Sequence, residues 1–169
     1  MIHVVLGDLA SVAADAVVRP ADASLTPLSS AVRRLDAAAG PRLADTTAGK
    51  HAFAVGSAFV TAGGDLVAEF VIHAIVGATA ADATAEGLRR ALEAALWQCT
   101  RWHIGALAVP ALDAFGVASA AEVTRVVLAT LQGPMRNPEH PATVLLVADT
   151  PQDQARYQAA LGPSSGDGR

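Results

Sequence analysis

The sequence predicts a three-layered α/β/α domain, and the alternation of two kinds of segment carries that reading. Short, continuously apolar runs with the length of strands alternate with longer amphipathic stretches of helical period. That pattern implies a sheet covered on both faces, with right-handed crossovers wherever strands run parallel. Composition agrees: 52% of residues are hydrophobic but only 4% aromatic, so the core must be built from Ala, Val and Leu, which suits helices packed on a sheet. A chain of 169 residues fits one hydrophobic core, and no repeat or long linker divides it. One domain is expected over residues 1–162, followed by a disordered Gly- and Ser-rich tail at 163–169.

Each element has its own signal. Ile2 to Leu6 is an apolar run that ends at Gly7-Asp8, and Asp15 to Arg19 is a second strand, expected to halt at Pro20. Thr26-Pro27 reads as a helix start, with a polar cap and a proline in the first turn. Leu28, Val32 and Leu35 then recur at helical spacing until Gly40-Pro41. A polar stretch, helical or irregular, through Lys50 leads to a strand at Ala54 to Thr61, a turn at Gly63-Gly64-Asp65 and a strand at Glu69 to Val76, and the two strands read as a hairpin or near-hairpin. From Thr84 to Trp102, Leu88, Leu92, Ala95, Leu96 and Cys99 form one face, and Arg89, Arg90 and Glu93 the other. Gly105 to Pro110 is a strand. Ser119 with Glu122 forms a capping box that starts a helix through Leu131, stopped by Gly133-Pro134. A loop with Pro138 and Pro141, a strand from Thr143 to Val147 and a helix from Thr150-Pro151 to Leu161 complete the domain.

Charge and motif content exclude several functions. The net charge is -4 and the basic residues are scattered, which removes the electrostatic attraction that nucleic-acid binding needs. No apolar stretch approaches the roughly 20 residues of a membrane span, and Met1-Ile2-His3-Val4 lacks the basic start of a signal peptide, so a cytoplasmic protein is expected. His3, His51, His73, His103 and His140 lack the spacing of a helical zinc pair, and Cys99 is the only cysteine, so neither a metal nor a cofactor is expected. Cys99 reads as a small core residue, and His73, inside a strand, as a satisfied core side chain. Serine-hydrolase elbows and phosphate-binding Gly-Lys loops are both missing.

In sheets of this kind ligands bind beyond the carboxyl ends of the strands, which directs attention to Gly7-Asp8-Leu9, to Arg19 through Ser30, and to Leu112 through Ser119. Those segments carry a resemblance. Val5-Leu6-Gly7-Asp8-Leu9 is similar to a macrodomain strand ending in Gly-Asp-Ile, and Asp15-Ala16-Val17-Val18 resembles the Asp-Ala-Ile-Val before that family's Asn-Ala-Ala-Asn. Leu25 and Ala38-Ala39-Gly40 also resemble family positions. The stretch from Val55-Gly56-Ser57-Ala58 through Thr61, Gly64 and Leu66 to Phe70-Val71-Ile72-His73 resembles the family's longest signature, and Ala106 to Pro110 its strand before the second phosphate loop.

The resemblance, from Val4 to about Leu161, implies a mixed central sheet and a cleft for ADP-ribose or a related adenine or diphosphate nucleotide, free or attached to a protein. It implies that Asp8 accepts a hydrogen bond from the adenine amino group and that Leu9 offers its amide. Asp8 reads equally as the cap of a turn at Leu9, and one residue can do both. Ser29, Ser30 and Ala31 fall in the first loop; Phe115, Gly116, Val117 and Ala118 fall in the second.

The chain also departs from the family. Arg19-Pro20-Ala21-Asp22 replaces Asn-Ala-Ala-Asn, so the ribose-orienting asparagine becomes Asp22, an acceptor without an amide donor. Val32 stands where hydrolytic members carry a water-activating aspartate. Pro27-Leu28-Ser29-Ser30 replaces a glycine-rich loop, and its side chains obstruct close backbone approach to a diphosphate. Ser29 and Ser30 compensate with hydroxyls, or are simply first-turn residues. Phe115 walls a ribose or plugs the core. Asp113 opposes a diphosphate unless a cation or Arg19 offsets it, and Val147 or Ala148 replaces an adenine-stacking aromatic. The expected function is therefore ADP-ribose binding without catalysis. A hydrolase that removes ADP-ribose, or an acetyl group from it, with Asp22 as an unconventional base is the alternative, and a scaffold whose cleft has closed is the third reading.

Overall fold

The structure, a computed structural model, describes residues 1–49, 52–133 and 141–163. Lys50, His51, the loop residues through Pro138 and His140, and residues 164–169 of the expected tail lie outside the described residues.

Six strands form one sheet: β1 (Ile2–Leu6), β2 (Ala16–Asp22), β3 (Ala58–Ala62), β4 (Phe70–Gly77), β5 (Ala106–Pro110) and β6 (Thr143–Ala148). Their order is β1-β6-β5-β2-β4-β3. All neighbours are parallel except β3, which pairs antiparallel with β4 in register Thr61↔Val71, so the sheet is mixed. The helices are α1 (Ser30–Ala39), α2 (Pro41–Thr47), α3 (Ala85–Trp102), α4 (Ala120–Gln132) and α5 (Pro151–Leu161).

Successive strand residues point to opposite faces, and here both faces are covered. Val17 and Val71 join Leu35, Ala39 and Leu43 of α1 and α2 in one core. Val18 and Ile72 join Leu88, Leu92, Val127 and Tyr157 of α3, α4 and α5 in the other. This explains why all seven residues of β2 are buried and why its sequence shows no alternation. The resulting architecture is the expected three-layer sandwich.

Three boundaries differ from the sequence reading, and the first is that of β3, which starts at Ala58 and not at Ala54. β2 runs through Pro20 to Asp22 instead of halting: its pairing with β5 is confined to Ala16 and Val17, so the lost N–H falls where only β4 continues beside it. The helix expected from Thr26-Pro27 begins at Ser30. Pro27 instead bridges Ala21, and the Ser29 hydroxyl accepts the Val32 amide at 3.3 Å as the cap. The caps expected at Ser119 and Thr150 are made, on Glu122 and Asp153, although among the described residues the Glu122 side chain does not return a bond to the Ser119 amide, and Thr84 caps α3 on Gly87.

At the far end of α3 the two tryptophans are exposed, Trp97 by 59% and Trp102 by 49%. The Arg101 guanidinium lies 4.9 Å from the Trp97 ring centre, and Phe70 tilts against Trp102. No helix among the described residues is long and apolar enough to cross a membrane.

Candidate functional site at the strand tips

Parallel pairing places the carboxyl ends of β1, β6, β5 and β2 along one edge of the sheet. α1 follows β2 and α4 follows β5, so both helices start at that edge. The three sequence-predicted segments are therefore gathered at one side of the molecule.

At the β1 corner, Asp8 both caps and stays accessible. Its Oδ1 accepts the Ala10 amide at 3.1 Å, and its carbonyl accepts the Ser11 amide at 3.1 Å, while its side chain is 47% exposed. No hydrogen bond among the described residues uses Oδ2, which leaves it for a ligand. Leu9 is buried in the core below. Sequence reasoning missed the neighbours of Asp8. Arg34 of α1 donates to Asp149, the residue after β6, and its Nε lies 4.0 Å from Asp8 Oδ1. The Asp149 hydrogen bond holds the Arg34 guanidinium above its ordinary range, so it is a permanent cation between two carboxylates. Val147 and Ala148 are both buried, so the side chain that stands beyond this strand is that of Asp149. The available signal was an arginine one helical turn beyond Ser30 on a helix that opens toward the strand tips.

Asp22 is 7% exposed, and its carboxylate ties a turn. Oδ1 accepts the amides of Ser24 at 2.9 Å and Thr26 at 3.0 Å, while the Asp22 amide donates to Thr26 O. This role needs only an acceptor, so an aspartate performs it without the amide donor of an asparagine. Leu25 within the turn adopts φ 65° and is held from below by Arg19 Nη2, 2.8 Å from its carbonyl. Arg19 is not the counterion of Asp113. It is 6% exposed, faces the α1 and α2 layer as Val17 does, and grips Asp36 with Nε at 2.6 Å and Nη2 at 2.8 Å. After Ser29 fixes the Val32 amide, the amides of Ser29, Ser30 and Ala31 have no partner among the described residues and form the first turn of α1.

The second loop is closed on itself. The amides of Phe115 and Ala118 exchange hydrogen bonds with each other's carbonyls, Val117 donates to Ala83 O at 3.1 Å, and Ala114 donates to Asp113 Oδ1. Among the described residues the amides of Asp113 and Gly116 are left without an acceptor. That glycine adopts φ 53°, and a Cβ there would stand 2.2 Å from Ala83 O, so the glycine serves a close backbone approach. Phe115 packs against the larger core, and Val117 is exposed. Arg156, with Nη1 3.7 Å from Asp113, supplies the cation that Arg19 does not, and Arg156 and Tyr157 both donate to Leu112 O. These partners lie more than 40 residues apart in sequence, so local patterns carry no sign of them.

His73 is fully buried with Nε2 2.8 Å from the Thr61 hydroxyl and its ring stacked on Phe59, the core role expected of it. No group of three or more His, Cys, Asp or Glu side chains among the described residues has a metal-holding arrangement.

Comparisons with known proteins agree with this construction. The family described as Macro domain matches residues 18–126. An uncharacterized protein of Aeropyrum pernix is 34% identical over 158 residues, which cover 88% of this chain and 78% of that one. Among solved structures, a variant of the Oceanobacillus iheyensis macrodomain with ADPR superposes with a TM-score of 0.82 at 20% identity, covering 95% of this chain and 91% of that one. The Trypanosoma brucei macrodomain in complex with ADP gives a TM-score of 0.82 at 18% identity, covering 95% and 69% respectively. With more than half of its length matched and a relative of this identity, the chain belongs to the macro domain family.

Proposed function

We propose that this protein is a cytoplasmic binding module for ADP-ribose or a related adenine diphosphate nucleotide, free or protein-attached, and that it does not hydrolyse its ligand. The observation that carries the reading is the first turn of α1. The unpartnered amides of Ser29, Ser30 and Ala31 sit at the positive end of a helix beside the tip of β2, an arrangement suited to a phosphate. Asp8 Oδ2 is available for an exocyclic amino group. The ligands named for the Oceanobacillus and Trypanosoma macrodomains, ADPR and ADP, support the ligand class.

Two features argue against catalysis. Val32 is fully buried in the place where hydrolytic relatives are expected to carry a base, and the Asp22 carboxylate already accepts two amides. The self-bonded loop at 113–118 leaves a phosphate only the amides of Asp113 and Gly116 among the described residues, so the grip falls mainly to α1.

Calorimetric titration with ADP-ribose, ADP, AMP and NAD tests the proposal. ADP-ribose is expected to bind, and Asp8→Ala to weaken it about tenfold, or about 1.4 kcal/mol. Neither heat nor thermal stabilisation from any of the four, in a folded sample, would leave the scaffold reading in its place. Release of ADP-ribose from a modified protein, lost in Asp22→Ala, would establish the hydrolase instead.

A further inference from the structure

We propose that the free edge of β3 is a docking site for an extended acidic segment of another protein, which adds to the sheet as a further strand. β3 ends the strand order, so one of its two sides has no neighbour in the sheet. Along an antiparallel strand the backbone groups turn alternately toward and away from a given neighbour. Ser57 O accepts the Ile75 amide and the Gly63 amide donates to Glu69 O, so the odd-numbered residues face β4. Ala58, Val60 and Ala62 therefore turn their N–H and C=O outward. Ala58 O accepts Gln98 Nε2 at 3.0 Å from α3, but among the described residues nothing bonds the outward groups of Val60 and Ala62. The strand reads Ala-Phe-Val-Thr-Ala, without the charge or proline that commonly blunts an open edge.

The helix beside this edge sets the chemistry of the partner. α3 follows β3 along its length: Arg90 lies against Gly56, Gln98 reaches Ala58, and Trp102 touches Phe70, the register partner of Ala62. Arg90, Trp97 and Arg101 recur at helical spacing on this flank, and all three are exposed. Neither arginine has a carboxylate partner among the described residues, since Glu86 and Glu93, the acids of the same helix, are both held by Arg89. Side chains of an added strand opposite Ala58, Val60 and Ala62 share the face of Ala58 and Val60, which pack into the core beneath α3. An aliphatic residue opposite Val60 thus meets Trp97, and a carboxylate two positions to either side meets Arg90 and Arg101. Those arginines are about three turns, or roughly 16 Å, apart along the helix. Residues four apart in an extended chain are separated by about 13 Å, a difference that glutamate side chains span. On the opposite face a groove of about 420 Å³ is lined by Arg42, Asp45, Thr46, Ala62 and Gly64, whose charges cancel, so the intervening residues are neutral. A second copy fits poorly, because pairing through the same edge about a twofold axis lays the two α3 flanks together and sets arginine against arginine.

Two end-blocked peptides, Gly-Glu-Thr-Val-Thr-Glu-Gly and Gly-Lys-Thr-Val-Thr-Lys-Gly, test the assignment in NMR titrations of the full chain; each has the same side-chain order in both directions. The acidic peptide is expected to give saturable shifts at the Val60 and Ala62 amides and at the Trp97 indole N–H, with a Kd below about 1 mM. The lysine peptide is expected to bind about tenfold more weakly or worse. Ala62→Pro removes an outward N–H while sparing the ladder with β4, and should weaken the acidic peptide by about tenfold. Arg90→Glu with Arg101→Glu, both on the surface, should make the lysine peptide the tighter of the two. Equal affinity for the two peptides, no saturable shift with either, undiminished binding in Ala62→Pro, or an acidic preference that survives the arginine reversal would each overturn the proposal. So would concentration-dependent shifts at Val60 and Ala62 without peptide, which assign the edge to a second copy. None of these outcomes depends on whether ADP-ribose binds at the strand tips.

Discussion

At the scale of single residues, the pair of Arg19 and Asp36 carries the clearest energetic consequence. The guanidinium is almost wholly enclosed, whereas the Asp36 side chain is 31% exposed, so removal of the carboxylate strands a buried cation while removal of both charges does not. Asp36→Asn is expected to lower stability in urea denaturation by about 2–3 kcal/mol, at or below the low end for broken buried pairs because of that exposure. Arg19→Met combined with Asp36→Leu should recover most of the loss. The direction of Arg19 was legible in the sequence: two residues after Val17 in a strand, it must share that residue's face. The resemblance drew attention to the ligand edge instead. Asp8 was readable from its place after a strand-ending glycine. Its contact with Arg34, which Asp149 also holds, joins three separate elements and leaves no local trace.

Among the elements, the helices were the most legible and the loops the least. A cap followed by a helical run located α4 and α5 at their first residues, because a side-chain oxygen three positions before an orphan amide is a purely local arrangement, and the apolar face from Leu88 to Cys99 located α3. α1 was misplaced because Thr26-Pro27 imitates the same signal. The chain resolves that ambiguity through Pro27 bridging Ala21 and through Ser29, which is the true cap. The loop between β5 and α4 shows why glycine alone is an unreliable sign of phosphate binding. Gly116 is needed for its contact with Ala83 whether or not a ligand is present. Gly116→Ala combines a left-handed backbone, which costs about 1–2 kcal/mol, with a clash against that carbonyl. A loss of at least about 2 kcal/mol in thermal denaturation is expected, since the loop must move off Ala83.

Considered as a whole molecule, the protein is held by aliphatic cores on both sides of the sheet, and the one beneath α3, α4 and α5 sets its response to alkali through what it buries. Burial pushes the Cys99 thiol up to about 12 from its ordinary 9.0. Burial likewise raises the Tyr157 hydroxyl above its ordinary 10.0. Both sit in the core beneath α3, α4 and α5. The unfolded chain releases these protons first and so binds fewer than the native chain as pH rises, which makes stability fall with pH from about 9 toward 12 and remain intact below. Urea midpoints at pH 8 and 10.5 are expected to show that decline, and Cys99→Ala to delay its onset toward the tyrosine range. Placing the tryptophans on the outer end of α3 decides how such unfolding can be watched. Both indoles already meet solvent in the native protein, so their emission starts near the colour of a denatured chain and changes little as the cores come apart. Far-ultraviolet ellipticity, which follows the helices themselves, is the faithful observable for this molecule.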